Sequence, residues 1–163
     1  MSPAEIASTL RRRLAAELDD DRVTLDRLAL DVARLVPPAP DERGEWMRAL
    51  AMAFAIERYY TAVESLFSRV LRTIDGAVPA GPSSHLDLLR ASAAAIEGSR
   101  PALVDRDAAD ELRELLKFRH LARHGYEREP RMDRMAEHAV RIARLHPWLC
   151  DSLDRLGAWL RTA

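Results

Sequence analysis

The segment Lys117–Tyr126 concentrates side chains that are suited to chemistry at a phosphate group. Arg119 and Arg123 are four residues apart. His120 and His124 have the same spacing, so a helix would present a row of arginines beside a row of histidines. An imidazole titrates near neutral pH and can move a proton to or from a ribose hydroxyl, whereas a guanidinium binds phosphate oxygens through paired N–H groups.

These groups favour cleavage of a phosphodiester in RNA without a metal ion. A base that acts on the ribose 2'-hydroxyl would direct its oxygen onto the adjacent phosphorus. An arginine would stabilise the negative charge that develops on the phosphate oxygens. We therefore expect a cyclic phosphate as the product.

Two other interpretations fit the same residues. Basic side chains at the C-terminal end of a helix interact favourably with the helix dipole, and such a turn is most often a solvated face. The spacing of His120 and His124 is also that of a zinc-binding pair. However, the segment has no third ligand and no intervening glutamate, so neither a metal nor another cofactor is predicted there.

Apolar residues recur at three- and four-residue steps along the chain, which predicts helices and leaves no strand-like alternation. Prolines and glycines punctuate this pattern. The predicted helices run from Ser2 to Pro37, Asp41 to Gly76, Ser84 to Gly98, about Asp107 to Gly125, and Pro130 onward, with a kink or restart at Pro147. We predict one all-α domain over residues 1–163, an antiparallel bundle of four or five helices.

The composition is that of a globular protein, with 48% hydrophobic and 31% charged residues. Basic and acidic residues number 25 and 26, so a nucleic-acid site must come from local clustering and not from net charge. No apolar run is long enough to span a bilayer, and the N-terminus lacks the apolar core of a signal peptide. These features predict a cytoplasmic protein that does not bind membranes.

Several residues outside the basic segment have two possible roles. Glu57 and Glu64 could orient an active-site arginine or form an ordinary salt bridge. Cys150 is the single cysteine, and its apolar neighbours predict a buried, inert thiol. His138 and His146 are predicted to lie on the surface. The tryptophans fall on apolar helical positions and are expected in the core or at a dimer interface: Trp46, Trp148 and Trp159.

The spacing of Arg119, His124 and Tyr126 resembles the Arg-x4-His-x-Tyr signature of the HepT-like HEPN ribonuclease toxins. It lies at the end of a late helix, as it does in that family. Glu57–Leu71 resembles the central helix of the family, and Ser83–Leu89 resembles the segment after its loop. The similar parts extend over roughly residues 45 to 160.

This resemblance implies a HEPN-like helical bundle with endoribonuclease activity, acting as the toxin of a toxin–antitoxin pair. Two copies would form a homodimer with one composite cleft. Arg119 would stabilise the phosphate, and Lys117 and Arg123 would also bind it. Tyr126 matches the tyrosine to which a minimal nucleotidyltransferase antitoxin adds AMP, and the added charge would block the RNA site.

The catalytic base stays open between two histidines. His124 satisfies the general HEPN spacing. In the longer HepT-like proteins the stretch often reads Arg-His-x-x-Arg-Asn-x-Tyr, which matches His120 and places His124 where asparagine stands. We favour His124 as the base, with His120 assisting or binding phosphate. The alternative function is a non-catalytic HEPN scaffold that binds a nucleotidyltransferase or another protein.

Overall fold

The structure is a computed structural model that describes residues 2–124 and 130–162, with the backbone alone at residues 3, 4 and 121–124. Its α-helices are α1 (Pro3–Arg34), α2 (Glu42–Ile74), α3 (Ser84–Ala93), α4 (Arg106–His124) and α5 (Met132–Thr162). The only β pairing in these residues is an isolated bridge between Ile96 and Arg100. The predicted all-α fold is confirmed. No helix in the described part of the chain is long and apolar enough to cross a membrane.

The first two helices begin at the caps that the sequence predicts. The Ser2 hydroxyl accepts a hydrogen bond from the Glu5 amide at 3.3 Å, and the Glu5 carboxylate accepts one from the Ser2 amide. The Asp41 carboxylate accepts a hydrogen bond from the Gly44 amide at 2.7 Å. At the other end of α2, Gly76 has a φ of +73°, the left-handed conformation expected of a C-terminal glycine.

Helix α2 is the centre of the bundle, because it packs against each of the other four helices. Its buried residues alternate steps of three and four and so form a continuous seam: Ala49, Met52, Ile56, Tyr59, Val63, Leu66 and Val70. Trp46, Leu50 and Phe54 follow four-residue steps only, which drift around the helix and leave these three side chains exposed. An apolar surface therefore remains on the N-terminal half of α2.

The predicted end of α3 is wrong, and of the two outcomes predicted at Pro147 the restart does not occur. Helix α3 ends at Ala93, because the backbone becomes extended at Ala94, and Gly98 instead occupies the turn between Ile96 and Arg100 with a φ of +71°. Helix α5 does not restart at Pro147 but continues through it. Packing on both sides accounts for this continuity, since the buried face of α5 extends from Met135 to Leu160 and outweighs one lost hydrogen bond.

Arg100 anchors the connection between α3 and α4 to the end of α2. Its side chain is 1% exposed and binds Asp75 through two nitrogen atoms, Nε at 2.7 Å and Nη2 at 2.8 Å. The same guanidinium donates to the carbonyl oxygens of Ala91, Ala94 and Pro101 at 3.0, 2.8 and 3.2 Å. This cluster holds the chain where α4 begins, and so fixes the position of α4 relative to α2.

His138 is partly buried between α4 and α5, so its predicted surface position is wrong. Its ring centroid lies 4.6 Å from that of Phe118, and its Nδ1 atom is buried and has no hydrogen-bond partner in the part of the chain that the structure describes. Helical phase explains the difference, because position 138 is adjacent to the buried seam that contains Met135, Ala139 and Ile142. Burial, assisted by the charge of Arg141, lowers the pKa of His138.

We expect His138 to make the fold sensitive to mild acid. Because its pKa is lower in the folded protein, the unfolded chain takes up a proton first as the pH falls below about 6.5. The neutral form contributes fully above that pH, and its contribution is lost as the pH falls. In urea titrations at about pH 7 and pH 5, the unfolding free energy of His138→Leu should therefore fall less than that of the wild type. Equal losses in the two proteins would contradict this assignment.

Candidate active site at the end of helix α4

The last turns of α4 carry five of the six predicted site residues: Lys117, Arg119, His120, Arg123 and His124. For Arg123 and His124 the structure describes the backbone, which is helical. Tyr126 lies outside the described residues. The structure therefore gives side-chain contacts for two of the predicted site residues, Arg119 and Lys117.

Arg119 points into the bundle and not into solvent. Its side chain is 8% exposed and its Nη1 atom lies 3.3 Å from Glu64 Oε2 on α2, where Glu64 is 12% exposed. The guanidinium carbon lies 5.8 Å from the centre of the Tyr60 ring. The Nε atom of Arg119 is buried and has no hydrogen-bond partner among the described residues. The interpretation of this turn as a solvated face is therefore wrong for Arg119.

Glu64 connects two basic residues from different helices. One of its carboxylate oxygens contacts Nδ1 of His85 near the start of α3, and the other contacts Arg119 on α4. The sequence left two roles open for Glu64, and the geometry combines them, because the salt bridge is made to the candidate catalytic arginine. Three helices thus place a carboxylate, an imidazole and a guanidinium within one cluster, which we call the Glu64 cluster: Glu64, His85 and Arg119.

Tyr60 closes the inner side of the Glu64 cluster. Burial raises the pKa of its phenol, the charge of Glu64 raises it further, and Arg119 opposes both. The phenol therefore keeps its proton at neutral pH, and an uncharged ring packs beside the guanidinium. It is not suited to serve as a base.

A cleft of about 370 Å³ opens beside the Glu64 cluster. Glu64 and His85 form part of its wall, together with residues from the C-terminal half of α2, the loop that follows and the start of α3: Ser65, Ser68, Arg72, Val78, Pro79, Ser84 and Leu88. The wall is polar on the α2 side and contains one guanidinium. A phosphate or ribose could enter here from solvent and approach His85 first.

The exposed residues of α4 have a different environment. Lys117 lies on the surface and its Nζ atom is 2.6 Å from Glu114 Oε1, an exposed pair that contributes little to stability. His120 is exposed, one position further along the helix than the buried Arg119. Arg119 and His120 therefore face different directions, and a substrate that touches both must lie along the edge of α4.

A second polar cluster lies on the side of α2 that faces α1 and α5. Nε2 of His146 is 2.9 Å from Asp26 Oδ1, and its Nδ1 is 3.1 Å from the Tyr59 hydroxyl. With its side chain 17% exposed, His146 is not the surface residue that the sequence predicted, because its helical position faces α1. Cys150, one turn further along α5, is buried as predicted.

One protein family matches the chain. The sequence model of the HepT-like protein family matches residues 51–160, which is 110 of the 163 residues. The match contains Tyr60 and the whole Glu64 cluster, and α1 lies outside it. None of the curated proteins and none of the solved structures that were compared with the chain matches it.

Proposed function

Since this chain belongs to the HepT-like protein family, we propose that it is a metal-independent endoribonuclease, the toxin of a toxin–antitoxin pair. The observation that most supports this proposal is the burial of Arg119 against Glu64 and Tyr60. Burying a guanidinium against Glu64 and Tyr60 costs desolvation energy that an apolar side chain would not, so we infer that the position of Arg119 serves a function. It lies on the same helix as both candidate bases, His120 and His124.

In the proposed reaction, His124 accepts the proton of a ribose 2'-hydroxyl. The 2'-oxygen then bonds to the adjacent phosphorus, and the bond from phosphorus to the 5'-oxygen breaks as that oxygen gains a proton. The products are a 2',3'-cyclic phosphate and a 5'-hydroxyl. His120 assists this transfer or binds phosphate, and Lys117 and Arg123 add positive charge along the RNA backbone.

Arg119 stabilises the charge that gathers on the phosphate oxygens. Glu64 holds one end of the guanidinium, and a guanidinium has five N–H donors in a fixed fork. Glu64 and Tyr60 therefore orient Arg119, and we propose that the donors left free by Glu64 bind the substrate phosphate.

We propose that two copies form the active unit. The exposed apolar side chains on α2 support self-association, because large apolar patches on soluble proteins usually mark interfaces. They are Trp46, Met47, Leu50 and Phe54. A composite cleft would bring the arginines and histidines of both copies together and supply positive charge that the near-neutral chain lacks. A monomeric mass by light scattering would contradict this.

We also propose that a minimal nucleotidyltransferase neutralises the protein by adding AMP to Tyr126. The added phosphate would carry negative charge beside the groups that bind the RNA phosphate, and it would repel the substrate. An unchanged intact mass after incubation with that enzyme and ATP would argue against this regulation.

The ribonuclease proposal is tested by incubating the purified dimer with RNA in EDTA and identifying the product ends. We expect cleavage with cyclic phosphate ends, and a loss of about 10²- to 10⁴-fold in His124→Gln, the range typical of a general base. His120→Gln should lose less activity. If His120→Gln abolishes cleavage and His124→Gln does not, the assignment of the base is wrong.

A non-catalytic scaffold is the second candidate. It is favoured by the low exposure of Arg119, because a side chain that is 8% exposed offers little surface to a substrate. A scaffold would bind the nucleotidyltransferase without cleaving RNA. Absence of cleavage by a folded, dimeric wild-type protein would contradict the ribonuclease proposal, and a stable complex with the nucleotidyltransferase would then support the scaffold.

A further inference from the structure

The cluster between α1 and α5 contains three side chains of the types that bind zinc: Asp26, His146 and Cys150. Each offers one ligand atom, and all these atoms lie within 4.8 Å of one another. Two of the residues are one turn apart on α5, and the third comes from α1. We propose that Asp26, His146 and Cys150 bind a zinc ion that links α1 to α5.

The distances between the ligand atoms are close to those of a tetrahedral zinc site. With ordinary zinc bond lengths, a thiolate sulfur would lie about 3.5 Å from the imidazole nitrogen and about 3.5 Å from the carboxylate oxygen, and nitrogen and oxygen about 3.3 Å apart. The corresponding distances here are 3.6, 3.8 and 2.9 Å. Shifts of a few tenths of an ångström complete the geometry, and the exposed Asp26 side chain can make them.

The groups around the cluster suit a metal-bound histidine. A histidine that binds metal through Nε2 directs its other ring nitrogen to a hydrogen-bond partner, which fixes the ring and its tautomer. Tyr59 is that partner, with its hydroxyl 3.1 Å from Nδ1. Burial raises the pKa of Tyr59, so the phenol stays neutral and its oxygen can accept the Nδ1 proton.

The charges of the cluster also balance. A thiolate and a carboxylate neutralise a divalent cation, and the imidazole is neutral. Arg22 lies 3.3 Å from Asp26 but only 2.9 Å from Asp154, so it keeps a partner when Asp26 turns toward the metal. Zinc here joins the helix outside the family match to the last helix inside it. Three protein ligands leave the fourth position of the zinc ion open, on the solvent-exposed side of Asp26.

A catalytic Cys-His-Asp arrangement fits the cluster less well. Burial is the main effect that raises the pKa of the Cys150 thiol to about 11, with Arg22 opposing it and Asp26 adding to it. The free thiol is therefore a poor nucleophile at neutral pH. A bound cation is the partner that would stabilise its deprotonated form.

Titration of the purified, untagged protein with Co²⁺ tests the site directly. Cys150 is the only cysteine of the chain, so a charge-transfer band from thiolate to cobalt can come only from this residue. We expect the band to appear with one equivalent of Co²⁺ and to disappear when Zn²⁺ displaces it. A titration without this band would overturn the proposal. Because the test uses the wild-type protein alone, its result does not depend on whether any variant folds.

Variants then identify the other ligands. Cys150→Ser and His146→Gln should weaken Zn²⁺ binding by more than about a hundredfold, and Tyr59→Phe by about tenfold or more. At a zinc concentration of about a hundred times the dissociation constant, the wild-type melting temperature should rise by roughly 5 to 10 °C. Equal rises in the wild type and Cys150→Ser would place the metal elsewhere and contradict the proposal. His138→Gln, on the same helix but outside the cluster, is the matched control and should bind zinc like the wild type.

Discussion

Replacing Arg119 with alanine is expected to lower the rate of RNA cleavage by about 10²- to 10³-fold, the usual effect of removing one donor that stabilises a transition-state anion. The change removes the guanidinium that is buried against Glu64 and Tyr60. The measurement is single-turnover cleavage of a defined RNA. The remaining cleavage should still produce cyclic phosphate ends, because the proposed proton transfer is carried out by a histidine and not by Arg119.

One further variant separates the charge of Arg119 from its shape, and a second variant on the same helix is the matched control. Arg119→Lys keeps one positive charge but loses the fork that can bind Glu64 and a phosphate together, so its activity should remain well below that of the wild type. Arg113→Ala is the matched control, because Arg113 lies exposed on the same helix and forms an ion pair with Asp110 at 3.0 Å. Wild-type activity in Arg119→Ala would contradict the proposed role.

Loss of stability must be distinguished from loss of chemistry in this test. Arg119→Ala leaves a buried carboxylate with His85 as its remaining partner in the Glu64 cluster. Removing one member of a buried ion pair can cost about 3 to 5 kcal/mol. The double variant Glu64→Gln/Arg119→Ala removes that unpaired charge, so it should regain stability without regaining activity. Recovery of cleavage in the double variant would show that Arg119 acts only through folding.

Replacing Arg100 with alanine is expected to lower the unfolding free energy by about 3 to 5 kcal/mol, as is typical when one partner of a buried ion pair is removed. Arg100 is 1% exposed and is bound to both oxygens of Asp75. The change also removes the donors for three backbone carbonyls in the connection between α3 and α4. Urea unfolding followed by circular dichroism measures the loss.

Two comparison variants test whether the loss in Arg100→Ala comes from its ion pair with Asp75. Asp75→Asn combined with Arg100→Ala should cost less than the sum of the single changes, because the pair is coupled. Arg90→Ala removes an exposed arginine 3.2 Å from Asp87 and should change stability by less than about 0.5 kcal/mol. A similarly small loss in Arg100→Ala would mean that the pair does not anchor α4.

Helical phase was sufficient to predict much of the fold. It predicted a bundle of four or five helices and the position of the basic segment at the end of α4, while the residue types at Ser2 and Asp41 predicted where the first two helices begin. The inward direction of Arg119 was also readable, since it continues the buried three- and four-residue steps of Leu112 and Leu115. That the whole chain is one domain stays a prediction, as do the roles of the site residues.

The contacts that the sequence could not supply join residues far apart in the chain. Arg100 lies in a segment without helical period, so nothing marks it as buried until Asp75 is placed beside it. Asp26 and His146 are 120 positions apart, and neither has a spacing motif that points to the other. Such pairings depend on how helices are arranged in space, and hydrophobic periodicity within one helix does not encode that arrangement.

The neighbouring tyrosines of α2 define how this helix is rotated about its axis. Tyr59 makes a hydrogen bond to His146 on one side, while the ring of Tyr60 lies against Arg119 on another. An apolar seam tolerates small rotations, because one aliphatic contact can replace another. A hydroxyl and a cationic contact from successive residues do not tolerate them, since a rotation that preserves one breaks the other. Tyr59 and Tyr60 together therefore fix the rotation of α2 about its own axis.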